Sequence, residues 1–226
     1  MNEVGAYGRP RVQTKFIFMT DNKMRTEILT IDKGQCLTDV LPAIPANMIF
    51  DKTITGCGAT HSEIVNAARH SIIIEPNIPV ILGKKAEHPF LFAVYEGITK
   101  EDVKAYLAGE HDGYRKIITT PEGFAKKVLP AMHELEIPVY KDYFLLFDEC
   151  EKAIQDVGYR GDIYLPVEDF FKFENKAMVS ATPIVPSDPR FEENGFKILK
   201  LVPTYDSRIE LTLCTTDNTV AVMRKL

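Results

Sequence analysis

Short runs of consecutive apolar residues recur along the chain and alternate with segments of helical periodicity. The clearest run, residues 144–147, leads directly into Asp148 and Glu149. A continuous apolar run of this length is typical of a strand buried on both faces of a parallel sheet. Similar runs predict further strands at residues 15–20, 26–31, 48–54, 71–75, 90–95, 116–120, 177–182, 196–202 and 208–215.

Helical segments separate many of these runs. Thr99 followed by Glu101 and Asp102 is typical of a capped helix start, and Pro121 suits the first position of another helix. Further helices are predicted at residues 61–69 and 165–173, while residues 35–45 are ambiguous. Strands that alternate with helices predict an α/β fold with a mostly parallel sheet and helices on both faces.

Composition restricts the possible functions. The chain has 226 residues, of which 45% are hydrophobic and 26% charged, and its net charge is -5, so it is not a generally basic nucleic-acid binder. The four cysteines form no CxxC pair, which argues against a zinc site or a disulfide framework and fits a reducing compartment. No apolar run reaches membrane-spanning length, so we expect a cytoplasmic protein without a membrane partner.

Two stretches at predicted strand ends carry candidate chemistry. A glycine-rich turn, Thr55-Gly56-Cys57-Gly58-Ala59-Thr60, lies between a strand and a helix, as in a phosphate-binding loop. The alternative is a βα turn without a ligand. Asp148 and Glu149 would point to opposite sides, one towards a metal and one towards a water, unless they form only a solvated acidic turn.

Three stretches then occur in a characteristic order: TGCGAT at residues 55–60, FDEC at 147–150 and SATP at 180–183. In this order they resemble motifs I, II and III of the first RecA-like domain of superfamily 2 (DEAD/DEAH-like) helicases. Weaker resemblances to motifs Ia and Ib lie between them, at residues 75–77 and 119–123. The resemblance covers residues 48–183 and implies a RecA-like P-loop fold.

The resemblance also implies residue roles, with ATP and Mg²⁺ as ligands and DNA or RNA as a partner. Asp148 would hold Mg²⁺ together with the Thr60 hydroxyl, and Glu149 would activate the attacking water. Residues Thr55, Gly56, Cys57, Gly58, Ala59 and Thr60 would bind the nucleotide. Coupling to nucleic acid would involve Ser180, Ala181 and Thr182, and contact with it would involve Pro76, Thr120, Pro121, Glu122 and Gly123. The alternatives are a strand end that satisfies its own backbone, and loops closed by proline.

Ala59 departs from the helicase pattern, because it stands where the phosphate-binding lysine is expected. Loss of one such contact costs about 2.7–4 kcal/mol of barrier, by analogy with an oxyanion-hole donor. We therefore expect a domain that binds nucleotide and nucleic acid with impaired hydrolysis. One alternative is an active ATPase in which Lys52, Lys84 or Lys85 replaces the lysine. Another is a non-catalytic scaffold in a replication or mobile-element complex.

The helicase pattern also predicts how the chain is divided. Residues 1–47 would form an N-terminal extension, residues 48–195 the first motor domain, and residues 196–226 a last strand and a connection. We expect a longer natural protein whose second RecA-like domain completes the motor. Within the loop, Cys57 is either a thiol of depressed pKa or a small residue that fits a tight turn, and His61 is expected to face solvent.

Overall fold

The fold is built on one eight-stranded sheet in which every pairing of neighbouring strands is parallel. The computed structural model describes residues 24–54, 56–150, 167–182 and 188–206. The strands are β1 (Thr26–Ile31), β2 (Met48–Asp51), β3 (His70–Ile74), β4 (Phe92–Val94), β5 (Lys116–Thr119), β6 (Tyr143–Asp148), β7 (Asn175–Ser180) and β8 (Lys197–Pro203). Their order across the sheet is β1-β8-β2-β7-β6-β3-β5-β4.

Helices connect most consecutive strands. They are α1 (Leu37–Val40), α2 (Ala59–Ile64), α3 (Ile78–Glu87), α4 (Lys100–Ala108), α5 (Pro121–Gly123), α6 (Leu129–Glu134), α7 (Val139–Asp142), α8 (Val167–Lys172) and α9 (Pro189–Glu193), with a π-helix at Phe124–Val128. Among the described residues, no helix combines the length and the apolar character needed to cross a bilayer.

The strand side chains divide between two apolar clusters, one on each face of the sheet. Ile72, Leu145 and Phe147 belong to one cluster, whereas Ile73 and Leu146 belong to the other. Because neighbouring residues of a strand point to opposite faces, this division shows that the sheet is covered by packed helices on both sides. The predicted α/β class, with a mostly parallel sheet and helices on both faces, is confirmed. The RecA-like type of this fold stays a prediction.

Most predicted strands are confirmed, but one long helix was not predicted. Helix α3 lies where the prolines at 76 and 79 indicated only the end of a strand. Pro79 is in the first turn of α3, where its missing N–H would have no partner in the helix, so the helix tolerates it. Helices α7 and α9 were also missed, and the strands predicted at 15–20 and 208–215 lie outside the described residues.

The segments on either side of the predicted motor domain join its sheet. Strand β8 pairs with β2 on one side and with β1 on the other. The domain boundaries at residues 48 and 195 stay a prediction.

A buried polar network connects the end of helix α2 to the amino ends of β3 and β5. Glu63 is fully buried and accepts hydrogen bonds from Arg69 Nε at 3.0 Å and from Ser71 Oγ at 2.5 Å. Lys116 Nζ lies 3.7 Å from Glu63 Oε1 and donates to Ser71 Oγ at 2.8 Å. The Arg69 guanidinium also lies 3.4 Å from the centre of the Phe144 ring. The network therefore fixes the end of α2 and the loop after it relative to the sheet.

We predict that Glu63→Gln lowers the free energy of unfolding by about 3–5 kcal/mol, because the buried Lys116 and the partly exposed Arg69 lose their shared counterion. Urea denaturation followed by circular dichroism measures this. The matched control is Glu101→Gln, which removes an exposed carboxylate paired with Lys104 and should leave the urea midpoint almost unchanged. Equal midpoints for the two variants would show that the network does not stabilise the fold.

Candidate functional site

A cavity of about 290 Å³ opens at the carboxyl ends of the central strands. Its walls come from three regions of the chain: Lys52 with the loop and first turn of α2 at residues 56–61, Glu75 and Asn77 with Val80 and Lys84 of α3, and Asp148 and Glu149 at the end of β6. Ligands in open α/β sheets bind at this edge. The cavity thus brings together the glycine-rich loop and the two acidic residues that the sequence singled out.

At two positions the loop has a backbone conformation that only glycine adopts readily. Gly56 has φ 74° and Gly58 has φ 87°, both in the left-handed region. No heavy atom lies within 4 Å of the place where a Cβ would stand at either glycine, so conformation and not crowding requires glycine there. The loop thereby remains open on the cavity side.

Asp148 and Thr60 bring two side-chain oxygen atoms together at the cavity. The Thr60 hydroxyl donates to Asp148 Oδ2, and the Glu149 amide donates to Asp148 Oδ1 at 2.9 Å. Asp148 is almost fully buried, and Glu149 has a left-handed φ of 48°. A hydroxyl beside a carboxylate is a donor set that Mg²⁺ prefers, so these residues fit the metal that the motifs imply.

Lys52 reaches both acidic residues across the intervening strand β7. Its Nζ lies 2.6 Å from Glu149 Oε1 and 3.3 Å from Asp148 Oδ1. The Lys52 amide donates to the carbonyl of Ser180 at 2.9 Å, which fixes the backbone where β2 ends. Burial by itself would lower the pKa of Lys52, but Asp148 and Glu149 outweigh that effect and raise it, so the ammonium stays charged.

The other two candidate lysines lie on helix α3. Lys84 lines the cavity and pairs with Glu87 at 2.9 Å. Lys85 donates to the Pro89 carbonyl at 2.6 Å and is not part of the cavity wall. Among the lysines proposed from the sequence, Lys52 is the one that contacts the acidic pair.

For Cys57 one of two alternatives is supported, and the expectation for His61 is corrected. The Cys57 thiol is buried in an apolar cluster, and this burial raises its pKa, which supports a small residue that fits a tight turn over a thiol of depressed pKa. His61 does not simply face solvent, because it lines the cavity and its Nδ1 lies 3.2 Å from His88 Nε2. Ala59 is almost fully buried and packs in the same cluster as Cys57.

The residues predicted to couple or to contact nucleic acid form local hydrogen bonds. The buried Ser180 hydroxyl accepts from the Thr182 amide at 2.9 Å, beside Ala181. This hydrogen bond is typical of a strand end in which a side chain accepts from a nearby backbone amide. The coupling role of this stretch stays a prediction.

The motif Ib stretch begins a helix. Thr120 Oγ1 accepts from the Gly123 amide at 3.0 Å, and a Cβ at Gly123 would lie 2.5 Å from Thr119 Oγ1. Pro121 is buried and Glu122 exposed. Pro76 follows β3, the neighbour of β5, so both stretches lie at the same sheet edge. Contact with nucleic acid at these positions stays a prediction.

Glu75 also lines the cavity, which its place in the motif Ia stretch did not indicate. It is almost fully buried, and its Oε1 accepts from the Asn77 amide at 2.8 Å and from Asn77 Nδ2 at 2.7 Å. Burial, with a further contribution from Asp148 and Glu149, raises the pKa of Glu75 to about 7. Glu75 directly follows an apolar run, as Asp148 does, and this shared position could have indicated that both lie at the cavity.

Comparisons with known proteins give a fold-level likeness only. No protein-family model and no curated protein sequence matches the chain. Among solved structures, the chain is similar to the helicase domain of Hef from Pyrococcus furiosus, with a TM-score of 0.47 and 13% identity. The match covers 76% of this chain and 38% of that one, so the chain spans well under half of the helicase domain it resembles.

We predict that Glu75 makes stability fall as pH rises. The folded protein keeps the Glu75 proton up to about pH 7, whereas the unfolded chain releases it near the ordinary value of 4.5. The protonated Glu75 therefore stabilises the fold at low pH, and this stabilisation is lost between these two pKa values. The free energy of unfolding should fall by about 2–3 kcal/mol from pH 5 to pH 8. In urea denaturation, the free energy of unfolding of Glu75→Gln should fall less between pH 5 and pH 8 than that of the native protein.

The control for Glu75 is Glu96→Gln, which removes an exposed carboxylate after β4. It should follow the pH dependence of the native protein. If Glu75→Gln also follows it, Glu75 releases its proton at the same pH in the folded and unfolded states.

Proposed function

We propose that this chain is a helicase-like domain that binds a nucleoside triphosphate with Mg²⁺ and acts on nucleic acid. The observation that supports this most directly is the meeting of the glycine loop, the Thr60–Asp148 pair and Glu149 in one cavity at the carboxyl edge of the sheet. The motif order and the parallel sheet are consistent with the same function. A second RecA-like domain in a longer chain would complete such a motor.

Thr60 and Asp148 would hold the metal, and the loop at residues 56–60 would hold the phosphates. When bound, Mg²⁺ would neutralise phosphate charge and replace Lys52 as the partner of Asp148. Without a ligand, Lys52 faces two carboxylates, so this cluster carries a net negative charge. A polyphosphate without metal would be repelled by this cluster, and binding should therefore require Mg²⁺.

Glu149 is the residue best suited to accept a proton from a water that attacks the terminal phosphorus. In that reaction the bond from this phosphorus to the bridging oxygen breaks, giving a nucleoside diphosphate and inorganic phosphate. Ala59 alone would impair this step, whereas Lys52 places an ammonium 2.6 Å from Glu149. An ammonium paired with Glu149 lowers the basicity of that carboxylate, so the relocated-lysine alternative requires Lys52 to leave Glu149 for the phosphates when the nucleotide binds.

The cavity also bears on the scaffold alternative. A loop collapsed onto Asp148 would favour a scaffold without a ligand. Thr60 contacts Asp148, yet the loop, α3 and the acidic pair together line a cavity of about 290 Å³, close to the lower end of the roughly 300–1,000 Å³ range of small-molecule sites. This space favours a ligand-binding function.

We predict that the chain binds Mg-ATP in isothermal titration calorimetry and that EDTA abolishes this binding. Asp148→Asn should weaken it at least tenfold, because the metal loses a charged ligand. Glu149→Gln should retain binding and lose phosphate release in a malachite-green assay, because the base for the attacking water is removed.

The control for nucleotide binding is Asp112→Asn, which removes an exposed carboxylate from the loop before β5, at the opposite edge of the sheet. It should bind Mg-ATP as the native chain does. Absence of Mg-ATP binding by the native chain, with folding confirmed by circular dichroism, would refute the nucleotide-binding proposal.

We further predict that single-stranded nucleic acid binds at the edge that carries the motif Ib stretch. Lys126 is exposed on the π-helix next to this stretch. Lys126→Glu should lower affinity for a fluorescein-labelled oligonucleotide in anisotropy titrations and flatten the dependence on salt, because a phosphate contact is lost.

The matched control is Lys141→Glu, an exposed lysine on α7, which precedes β6 at the opposite edge. The same loss in both variants would indicate general electrostatics without a site. DNA and RNA oligonucleotides of one sequence, tested in parallel, show which nucleic acid is preferred.

A further inference from the structure

Two described lysines line the cavity, and their surroundings differ. Lys84 is on the outer helix α3, a quarter of its side chain is exposed, and it already pairs with Glu87. Lys52 has a side chain that is 10% exposed, and its Nζ contacts both acidic residues at the cavity floor. A lysine that binds phosphate must be placed accurately, and Lys52 meets this condition better.

The backbone on each side of Lys52 is also held in place. Its amide donates to the Ser180 carbonyl at 2.9 Å, and its carbonyl accepts from the Ile54 amide. Thr53, the next residue, has a left-handed φ of 48° and donates through its hydroxyl to the Leu201 carbonyl. The chain thus turns sharply after Lys52 and enters the loop, so that Lys52 and Ala59 face one cavity from the two ends of the loop.

The acidic pair explains how a lysine can be kept ready in this position. A buried ammonium is costly without a partner, and Asp148 and Glu149 supply two. A divalent cation that takes the carboxylates releases the ammonium at the moment when phosphate oxygens become available to it. The same lysine is therefore the counterion of the acids without a ligand and a phosphate ligand when the site is filled.

We propose that Lys52 supplies the phosphate-binding ammonium that Ala59 lacks, by contacting the terminal phosphates of a nucleoside triphosphate bound with Mg²⁺. This inference rests on the proposed nucleotide-binding function and assigns its missing cation. On this proposal, the positive charge missing at Ala59 is not lost but is supplied by Lys52, at the other end of the loop.

The test is Lys52→Met, which keeps the length of the side chain and removes its charge. Calorimetry should show at least tenfold weaker binding of Mg-ATP than in the native chain. Binding of Mg²⁺ alone should become tighter, because the metal no longer competes with an ammonium for Asp148 and Glu149. A merely structural lysine would weaken both, and a lysine that blocks the site would make removal tighten both.

The double variant Lys52→Met with Ala59→Lys places the charge at the usual position and should recover most of the affinity for Mg-ATP. Since Ala59 is almost fully buried, its folding is checked by thermal melting. If the double variant does not fold, the opposite changes in Mg²⁺ and Mg-ATP affinity in Lys52→Met decide the question.

Lys84→Met tests the competing lysine, and Lys85→Met, which lies outside the cavity wall, is the matched control. Lys84→Met should weaken Mg-ATP binding less than Lys52→Met does, and Lys85→Met should stay within threefold of native affinity. A loss that follows Lys84, or unchanged Mg-ATP binding in Lys52→Met, overturns the inference but leaves the proposed function in place. Absence of Mg-ATP binding in the folded native chain overturns both.

Discussion

The site depends on the common direction of the strands. Because all neighbouring strands are parallel, each strand brings its last residues to the same edge of the sheet. The order β2-β7-β6-β3 places the ends of four strands side by side. Residues separated by about a hundred positions, such as Lys52 and Asp148, can then make direct contact. An antiparallel neighbour at any of these places would have carried its last residue to the opposite edge.

Three carboxyl groups and one buried ammonium meet at this edge of the sheet. Asp148, Glu149 and Glu75 all face the cavity, and Lys52 is the cation in direct contact with the first two. Burial keeps Glu75 protonated up to about pH 7, which reduces the repulsion among the three carboxyl groups. The ion pair therefore stabilises a cavity that would otherwise hold uncompensated acids.

The parts that the sequence did not reveal share a physical cause. The sequence does not indicate helix α3 because proline usually interrupts regular structure, although the first turn of a helix accepts it. Glu75 was not placed in the cavity because its environment comes from β6 and from the turn into α3, which local sequence does not show. Thr120 and Ser180 fit helicase motifs, yet their side chains bond to neighbouring amides, which a motif alone cannot distinguish from contact with a partner.

The sequence by itself determined the α/β class, most of the strands, the glycine loop, the acidic pair and the absence of a lysine at position 59. These are local properties, because periodicity and residue type follow from neighbours in the chain. Only the tertiary structure decided which lysine faces the acidic pair. Lys52, Lys84 and Lys85 are equally basic in sequence, and their positions depend on strand order and on the rotation of helix α3. A charge acts through distance and burial, and both arise from contacts between segments that are remote in the chain.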